Sequence, residues 1–383
     1  MNVKLISAGA GSGKTYRLTR EIVQKLKSGV PPSGILATTF TRKAATELKE
    51  RVRQSLIQEG LLDAAEEVSN ALIGTVNGLG TKLLQRFSFE AGLSPYVQVM
   101  EDVEGKQYFN LALANILDAS KVERIQALAE RLSLLPDTGA YGGSDWKEHL
   151  SRICDLARQN NFKEAALEAS RAKSIDTLSS FFEPTISKSY TEQLAGLKKE
   201  LDFVIQEIDL EADSTVKTKD ALKKVKTIRF NIEHGKAIKW LDWAALGNIS
   251  PGKKSMDTFA DLIQYAQLHH RSEQFQADLK AYISELFQLT AAAIHEYDDY
   301  KKKRGLIDYT DMEAMLDQLL DRTDVQEVLS QELHLVIVDE FQDTSPLQLN
   351  LFLKLDALAG DSIWVGDPEQ SIYGFRGADP VLM

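Results

Sequence analysis

Two short stretches of the chain carry residues whose types and spacing could do phosphate chemistry. The first is AGAGSGKT at residues 8–15. Gly9, Gly11 and Gly13 would let backbone amides turn inward around an anion, and Lys14 follows where an ammonium reaches the β- and γ-phosphates of a nucleoside triphosphate. The Thr15 hydroxyl would bind Mg²⁺. Ala8 stands where the strict phosphate-loop pattern has its first glycine, a departure of one methyl group. Ala8, Gly9, Ala10, Gly11, Ser12, Gly13, Lys14, Thr15 and Tyr16 are therefore the candidate nucleotide-binding residues. The second stretch is LVIVDEFQDT at 335–344, where four apolar residues lead into two adjacent carboxylates. Asp339 would hold Mg²⁺ through its water shell, and Glu340 would orient and deprotonate an attacking water. A carboxylate pair at the end of an apolar run is costly to desolvate. Its coincidence with a phosphate loop points to triphosphate hydrolysis more than to phosphoryl transfer onto a small hydroxyl. The phosphate loop alone says only that a nucleotide is bound, since kinases and transport ATPases have one too.

A parallel sheet is what could bring these two stretches together. Val3–Ala8 reads as a buried strand running into the glycine-rich turn, and Tyr16–Leu26 as a helix with Leu18, Ile22, Val23 and Leu26 on one face. Ile35–Phe40 reads as a second strand, followed by a helix from Arg42 to about Leu56; Ala71–Val76 is a third apolar run and Leu79–Phe87 is again helical. Strands return after residue 300, at Leu333–Val338 and Ser362–Val365. Between about residues 100 and 300 helical periodicity dominates, as in the stripe Ile283, Leu286, Phe287, Ile294 and Tyr297, with polar loops at 137–145 and 247–254. The expectation is an α/β sheet domain made of two sequence segments, with an all-helical domain inserted between them.

The 383 residues suit two or three domains, and 43% hydrophobic with 26% charged residues is an ordinary globular composition. A single cysteine, Cys154, excludes an intrachain disulfide framework and a thiolate zinc site, and reads as a small buried residue. The six histidines do not cluster, and no nuclease or metal-ligand constellation is visible. The apolar runs are too short to cross a membrane and no secretory signal is visible, which implies a reducing, cytoplasmic setting. The net charge of −11 argues against a basic nucleic-acid coat protein. It leaves room for a local basic groove, because charges are screened over ~10 Å at 0.1 M salt. Lys217, Lys219, Lys223, Lys224, Lys226 and Arg229, opposed only by Asp220, either touch phosphates or form a solvated helix face. Lys301–Arg304 has the same two readings, the second favoured because it forms cations at the C-terminal end of a helix.

Five segments together resemble superfamily 1 DNA helicases of the UvrD/Rep/RecB type. IVDEFQDTSPLQ (337–348), TTFTRKAATELKERV (38–52) and VGDPEQSIYGFRGAD (365–379) resemble motifs II, Ia and III. GTVNGLGTKLL (74–84) resembles motif Ib, and RGLIDYTDM (304–312) the segment preceding motif II. The wording of 366–379 is nearer the RecB/AddA branch. The resemblance implies a RecA-like P-loop NTPase fold: motor domain 1A in two segments, 1–105 and 291–383, around a helical 1B-like insertion at 106–290. It implies ATP and Mg²⁺ as cofactors and 3′→5′ movement on single-stranded DNA. Gln370 matches the residue that senses the γ-phosphate. Thr39, Phe40, Thr41 and Lys43 match residues lining the single strand, Asn77 stands where motif Ib commonly has histidine, and Tyr373 and Phe375 match base-stacking aromatics beside Arg376. Tyr16 stands where arginine is usual, and there is no room before Val3 for an adenine-reading glutamine motif. Motifs IV to VI and the second RecA-like domain are absent before Met383, and an arginine finger of the kind they carry is worth ~10³–10⁵ in rate. The expectation is an N-terminal fragment, monomeric, weakly hydrolytic and unable to unwind alone. Its partners would be single-stranded DNA, a duplex junction and the partner protein of a helicase–nuclease. The alternatives are the motor subunit of a RecB/AddA-like helicase–nuclease, or a DNA-binding regulatory half-motor without turnover.

Overall fold

The run LVIV at 335–338 is buried along its whole length, as the near-continuous apolar pattern of a central parallel strand requires. The computed structural model describes residues 3–7, 13–135 and 145–367. Its strands are β1 (Val3–Ser7), β2 (Ile35–Thr39), β3 (Leu72–Thr75), β4 (Gln98–Val99), β5 (Leu306–Ile307), β6 (Leu335–Val338) and β7 (Asp361–Gly366). Five of them form one parallel sheet in the order β1-β7-β6-β2-β3, while β4 and β5 make a separate parallel pair. In the register of the central strands Thr38 lies beside Val338 and Val338 beside Trp364. The carboxyl ends of the early and late segments thus finish at one edge of the sheet.

Alternation along β6 sends Leu335 and Ile337 to one face and Val336 and Val338 to the other. The first face packs against the helices Lys14–Lys27 and Arg42–Gln58 through Leu18, Ile22, Leu48 and Val52. The second packs against the helices Val76–Arg86, Tyr309–Leu319 and Pro346–Leu358 through Leu83, Met312 and Phe352. The chain moves toward the β3 edge over one face and returns over the other, as right-handed crossovers demand. β1 departs from the expected buried strand. It is an edge strand, and only Ile6 of its residues is buried, with Leu5 69% exposed. Its apolar residues look like those of a central strand, but among the described residues it has β7 on one side and no strand on the other.

Two compact units are present: Met1–Leu111 with Leu156–Phe162 and Tyr297–Met383, and Ala112–Asp155 with Lys163–Glu296. The first holds the sheet. The described residues of the second contain helices and no strand. Its core joins Leu197, Leu201, Val225, Trp243, Phe259 and Leu262. Asp278, 2% exposed, sits among them with its charge met by Arg131, Trp240 Nε1 at 2.9 Å and Gln274 Nε2 at 2.7 Å. Cys154 is buried as expected.

Lys301 lies in the last turn of the helix Glu273–Arg304, as the run of cations implies, but it is not solvated: it is 3% exposed and lies between Asp311 (2.5 Å), Asp298 (3.2 Å) and Asp308 (3.4 Å). Lys302, Lys303 and Arg304 do point to solvent. The difference is one of helix face, since Lys301 is on the turn beside Tyr297, whose hydroxyl also donates to Asp308 at 3.1 Å. Arg158 closes the cluster on Asp308. Burial pushes Asp308 upward, but Arg158 and Lys301 outweigh it and hold the carboxyl below its ordinary range. Asp308 and Asp311 also form the capping box of helix Tyr309–Leu319, so the DYTD segment is an N-terminal cap with a buried counter-charge.

Candidate active site

The site is assembled from what each parallel strand delivers at its carboxyl end. Gly13 has the left-handed conformation (φ 81°, ψ 25°) that glycine adopts at no steric cost, and it opens the helix Lys14–Lys27. Among the described residues no side chain caps that helix, and its first turn carries no acidic residue. The leading amides and the positive end of the helix dipole are left to an anion. Lys14 Nζ donates to Glu340 Oε2 at 3.0 Å and to Oε1 at 3.3 Å, across 326 positions of sequence. Thr15, half-buried, follows on the same turn.

Asp339 is the first residue beyond β6. Its N–H donates to Thr38 O at 3.2 Å, and its Oδ1 accepts from the Glu340 N–H at 3.1 Å. Burial, and after it the Glu340 charge, push the Asp339 carboxyl up to about 6, against the pull of that N–H and of Lys14. Glu340 adopts φ 55°, ψ 46°, a left-handed conformation costing a non-glycine residue about 1–2 kcal/mol. The strain sits at the residue that meets Lys14. Among the described residues no group of three His, Cys, Asp or Glu could hold a metal on its own. Thr15 and Asp339 beside an anion-ready helix end fit a Mg²⁺ that keeps water and phosphate oxygens as its other ligands.

Gln342 was not singled out from sequence. It is 3% exposed, and its Nε2 donates to Glu340 Oε2 at 2.7 Å and to Asp343 Oδ2 at 3.2 Å, while its Oε1 accepts from the Asp367 N–H at 2.9 Å. The available signal was an amide placed two residues after the candidate base, in a turn whose Phe341 is apolar.

A cleft of about 130 Å³ opens beside the carboxylates, and its walls include Thr39, Phe40, Asn77, Asp339 and Glu340. Three residues expected on the single strand therefore share a cleft with the two expected to act on triphosphate. Phe40 is 37% exposed there. Thr41 and Lys43 do not line it. Thr41 Oγ1 caps the helix Arg42–Gln58 by accepting from Ala44 N at 3.0 Å, and Lys43 points to solvent near Glu47. Sequence reasoning missed the polar wall opposite, Asp343, Thr344 and Gln348. Gln348 donates to Glu313 Oε1 at 2.6 Å, and burial pushes Glu313 up to about 7. Tyr16 is exposed. Ala8, Gly9, Ala10, Gly11, Ser12, Gln370, Tyr373, Phe375 and Arg376 lie outside the described residues.

On the helical unit, Lys217, Lys219, Lys223, Lys224 and Lys226 of the helix Val216–Glu233 are all exposed. Arg229 is engaged by Asp202 and Glu233, whereas no ion pair among the described residues involves those five lysines.

A family model described as the UvrD/REP helicase N-terminal domain matches residues 2–383. Similar curated proteins include the A subunit of the ATP-dependent helicase/nuclease of Lactobacillus acidophilus, 24% identical over 99% of this chain and 35% of that protein. The proteins of the same name from Lactobacillus gasseri and from Streptococcus pyogenes serotype M12 are each 25% identical over 99% of this chain, and 35% and 34% of their own lengths are covered. The chain spans about a third of the length of these relatives.

Proposed function

The chain belongs to the UvrD/REP helicase N-terminal domain family, and from that premise we propose that it is the first motor half of an ATP-dependent DNA translocase. Residues 1–105 and 291–383 act as the RecA-like domain 1A, and 106–290 as its helical insertion. The observation that carries the reading is the Lys14–Glu340 pair, set beside Asp339 and opening onto a cleft that Phe40 and Asn77 line.

ATP with Mg²⁺ supplies the phosphoanhydride bond that water cleaves. Lys14 exchanges Glu340 for the triphosphate, neutralising charge that develops on its oxygens. Thr15 and Asp339 hold the cation. Glu340, released from Lys14, orients water and accepts its proton. Phe40 stacks on a base of the single strand, a contact indifferent to sequence because every base has a π-face. Thr39 and Asn77 flank it. Gln370, Tyr373, Phe375 and Arg376 complete the phosphate sensor and the strand track by resemblance. The exposed lysines of the helix Val216–Glu233 meet duplex phosphates at the junction. The names of the relatives support a role as the motor of a helicase–nuclease, working with a partner protein.

The test is single-strand-stimulated ATP hydrolysis by the full-length protein. Lys14→Ala is expected to abolish nucleotide binding while leaving single-strand affinity in place. Loss of both together would defeat this division of the site.

A further inference from the structure

We propose that Phe230, with His234 stacked behind it, is a platform for an unpaired nucleobase at the end of a lysine row. The helix Val216–Glu233 thereby holds the place where a duplex gives way to a single strand. This deepens the function proposed above and rests on its reading of the lysines as duplex contacts.

At 3.6 residues per turn, Lys219, Lys223, Lys226 and Phe230 fall within about 60° of one helix face. Along the axis they are about 6, 4.5 and 6 Å apart. The buried face of the same helix is made by Thr218, Ala221, Leu222, Val225 and Ile228. The three lysines are exposed and enter no ion pair among the described residues, and Asp220 lies off the stripe by about 90°. Glu233, the acid nearest Phe230 in sequence, is engaged by Arg229 at 3.5 Å. A row of unanswered positive charge thus runs into a ring that is 51% exposed.

The end of the helix fixes that ring. His234 is the C-cap, and Gly235 has φ 63°, the left-handed conformation that turns the chain back. The Gly235 N–H donates to Ile232 O at 3.2 Å and the Lys236 N–H to Asn231 O at 2.9 Å, the two bonds of a Schellman motif. His234 Nδ1 donates to Phe230 O at 2.8 Å, since a carbonyl can only accept. The His234 ring stacks on Phe230 at 3.8 Å between centroids, with 30° between planes. Lys236 Nζ stands 5.9 Å from the centre of the Phe230 ring. A Schellman motif commonly closes over an apolar contact at these positions. Here lysine meets a phenylalanine that stays half in water. A lone exposed phenylalanine needs no explanation, but one held by a second ring at the end of a cation row does.

The pairing of groups selects the ligand. Phosphates of either strand would satisfy the lysines, whereas a ring needs an open π-face. Inside a duplex both faces of a base are covered by its neighbours. A terminal pair offers one face but is tied to a rigid duplex, while an unpaired base can turn onto the ring. An acidic protein segment would satisfy the lysines and leave the platform unused.

The experiment measures binding by the full-length protein, without nucleotide, of a duplex with a short single-stranded overhang and of the same duplex blunt-ended. 2-Aminopurine at the first unpaired position reports stacking by its quenching. Phe230→Ala is expected to weaken binding of the overhang duplex about fivefold or more and to lose the quenching, with salt slope and melting temperature unchanged. Phe230→Tyr should restore both. Phe230→Leu keeps apolar bulk without a π-face; it should behave as alanine does, and serves if the alanine variant does not fold. Replacing Lys219, Lys223 and Lys226 by alanine should do the converse, lowering the salt slope and leaving the ratio of overhang to blunt affinity. Wild-type overhang affinity and quenching in a folded alanine or leucine variant overturn the proposal. Displacement of the overhang duplex by polyglutamate as readily as by unlabelled overhang duplex also overturns it, because such a face takes any polyanion. An unchanged salt slope in the lysine variant overturns the parent reading of this helix, and the platform with it. A lowered slope there, beside an unaltered overhang preference in Phe230→Ala, overturns the platform alone.

Discussion

Phe40 follows β2 and Lys14 opens the helix after β1, with two strands between β1 and β2 in the sheet; they are expected to answer to different ligands, and single substitutions can separate them. Phe40 is partly exposed on the cleft wall and its ring is not part of either sheet core. Phe40→Ala is therefore expected to weaken single-strand binding by about 1–3 kcal/mol with little change in nucleotide affinity. Fluorescence anisotropy of a labelled oligonucleotide, read beside nucleotide titration, checks both halves. If the ring were core packing instead, the variant would lose melting temperature and both affinities would move. Thr41 belongs to a different class. Its hydroxyl is an N-cap, so Thr41→Ala acts on the helix Arg42–Gln58 at a cost of about 1 kcal/mol.

The helices Tyr309–Leu319 and Pro346–Leu358 meet along Glu313–Gln348 and Asp317–Lys354, and the buried end of that row is ionisable. Glu313 has its pKa raised to about 7 by burial, which outweighs the Gln348 hydrogen bond, while the Asp308 charge adds to the rise. A raised carboxyl binds its proton more tightly in the folded than in the unfolded chain. Its contribution is fully present below the unfolded value near 4.5 and is lost as the pH rises through about 7. Thermal melts are expected to show a destabilisation of at most about 3 kcal/mol from this group between pH 5 and pH 8, and Glu313→Gln should flatten that slope. An unchanged slope in the variant would place the pH dependence elsewhere. This row also shows what sequence could and could not disclose. Strands β2, β6 and β7 were legible because a strand buried on both faces must be apolar throughout, and the meeting of Lys14 with Glu340 because a glycine-rich run precedes the one and such a strand the other. The burial of Lys301 was not legible because a run of cations does not say which one turns inward. β1 was misread because apolar content does not say whether a strand has one neighbour or two. Gln342 and Gln348 escaped because a neutral amide announces itself only by the partners that topology brings to it.

Across the whole molecule, charge is distributed against its own sum. The chain carries −11 overall, yet one helix of the second unit presents five exposed lysines without an ion pair among the described residues. Replacing Lys219, Lys223 and Lys226 together by alanine is expected to lower the slope of log K for duplex DNA against log salt by about 2–3, with unstimulated ATP turnover unaltered. A slope that stays the same would assign this face to solvation alone. Folding of the entire chain also carries a handicap at Glu340, whose backbone is one that asparagine tolerates and longer side chains resist. Two replacements of equal charge should then part company: the chain with Glu340→Asn is expected to survive heating better than the one with Glu340→Gln, by roughly 0.5–1 kcal/mol. Calorimetry on the pair would isolate the cost of this backbone from the loss of charge that both variants share, so that position 340 lowers the heat resistance of the chain whichever long side chain occupies it.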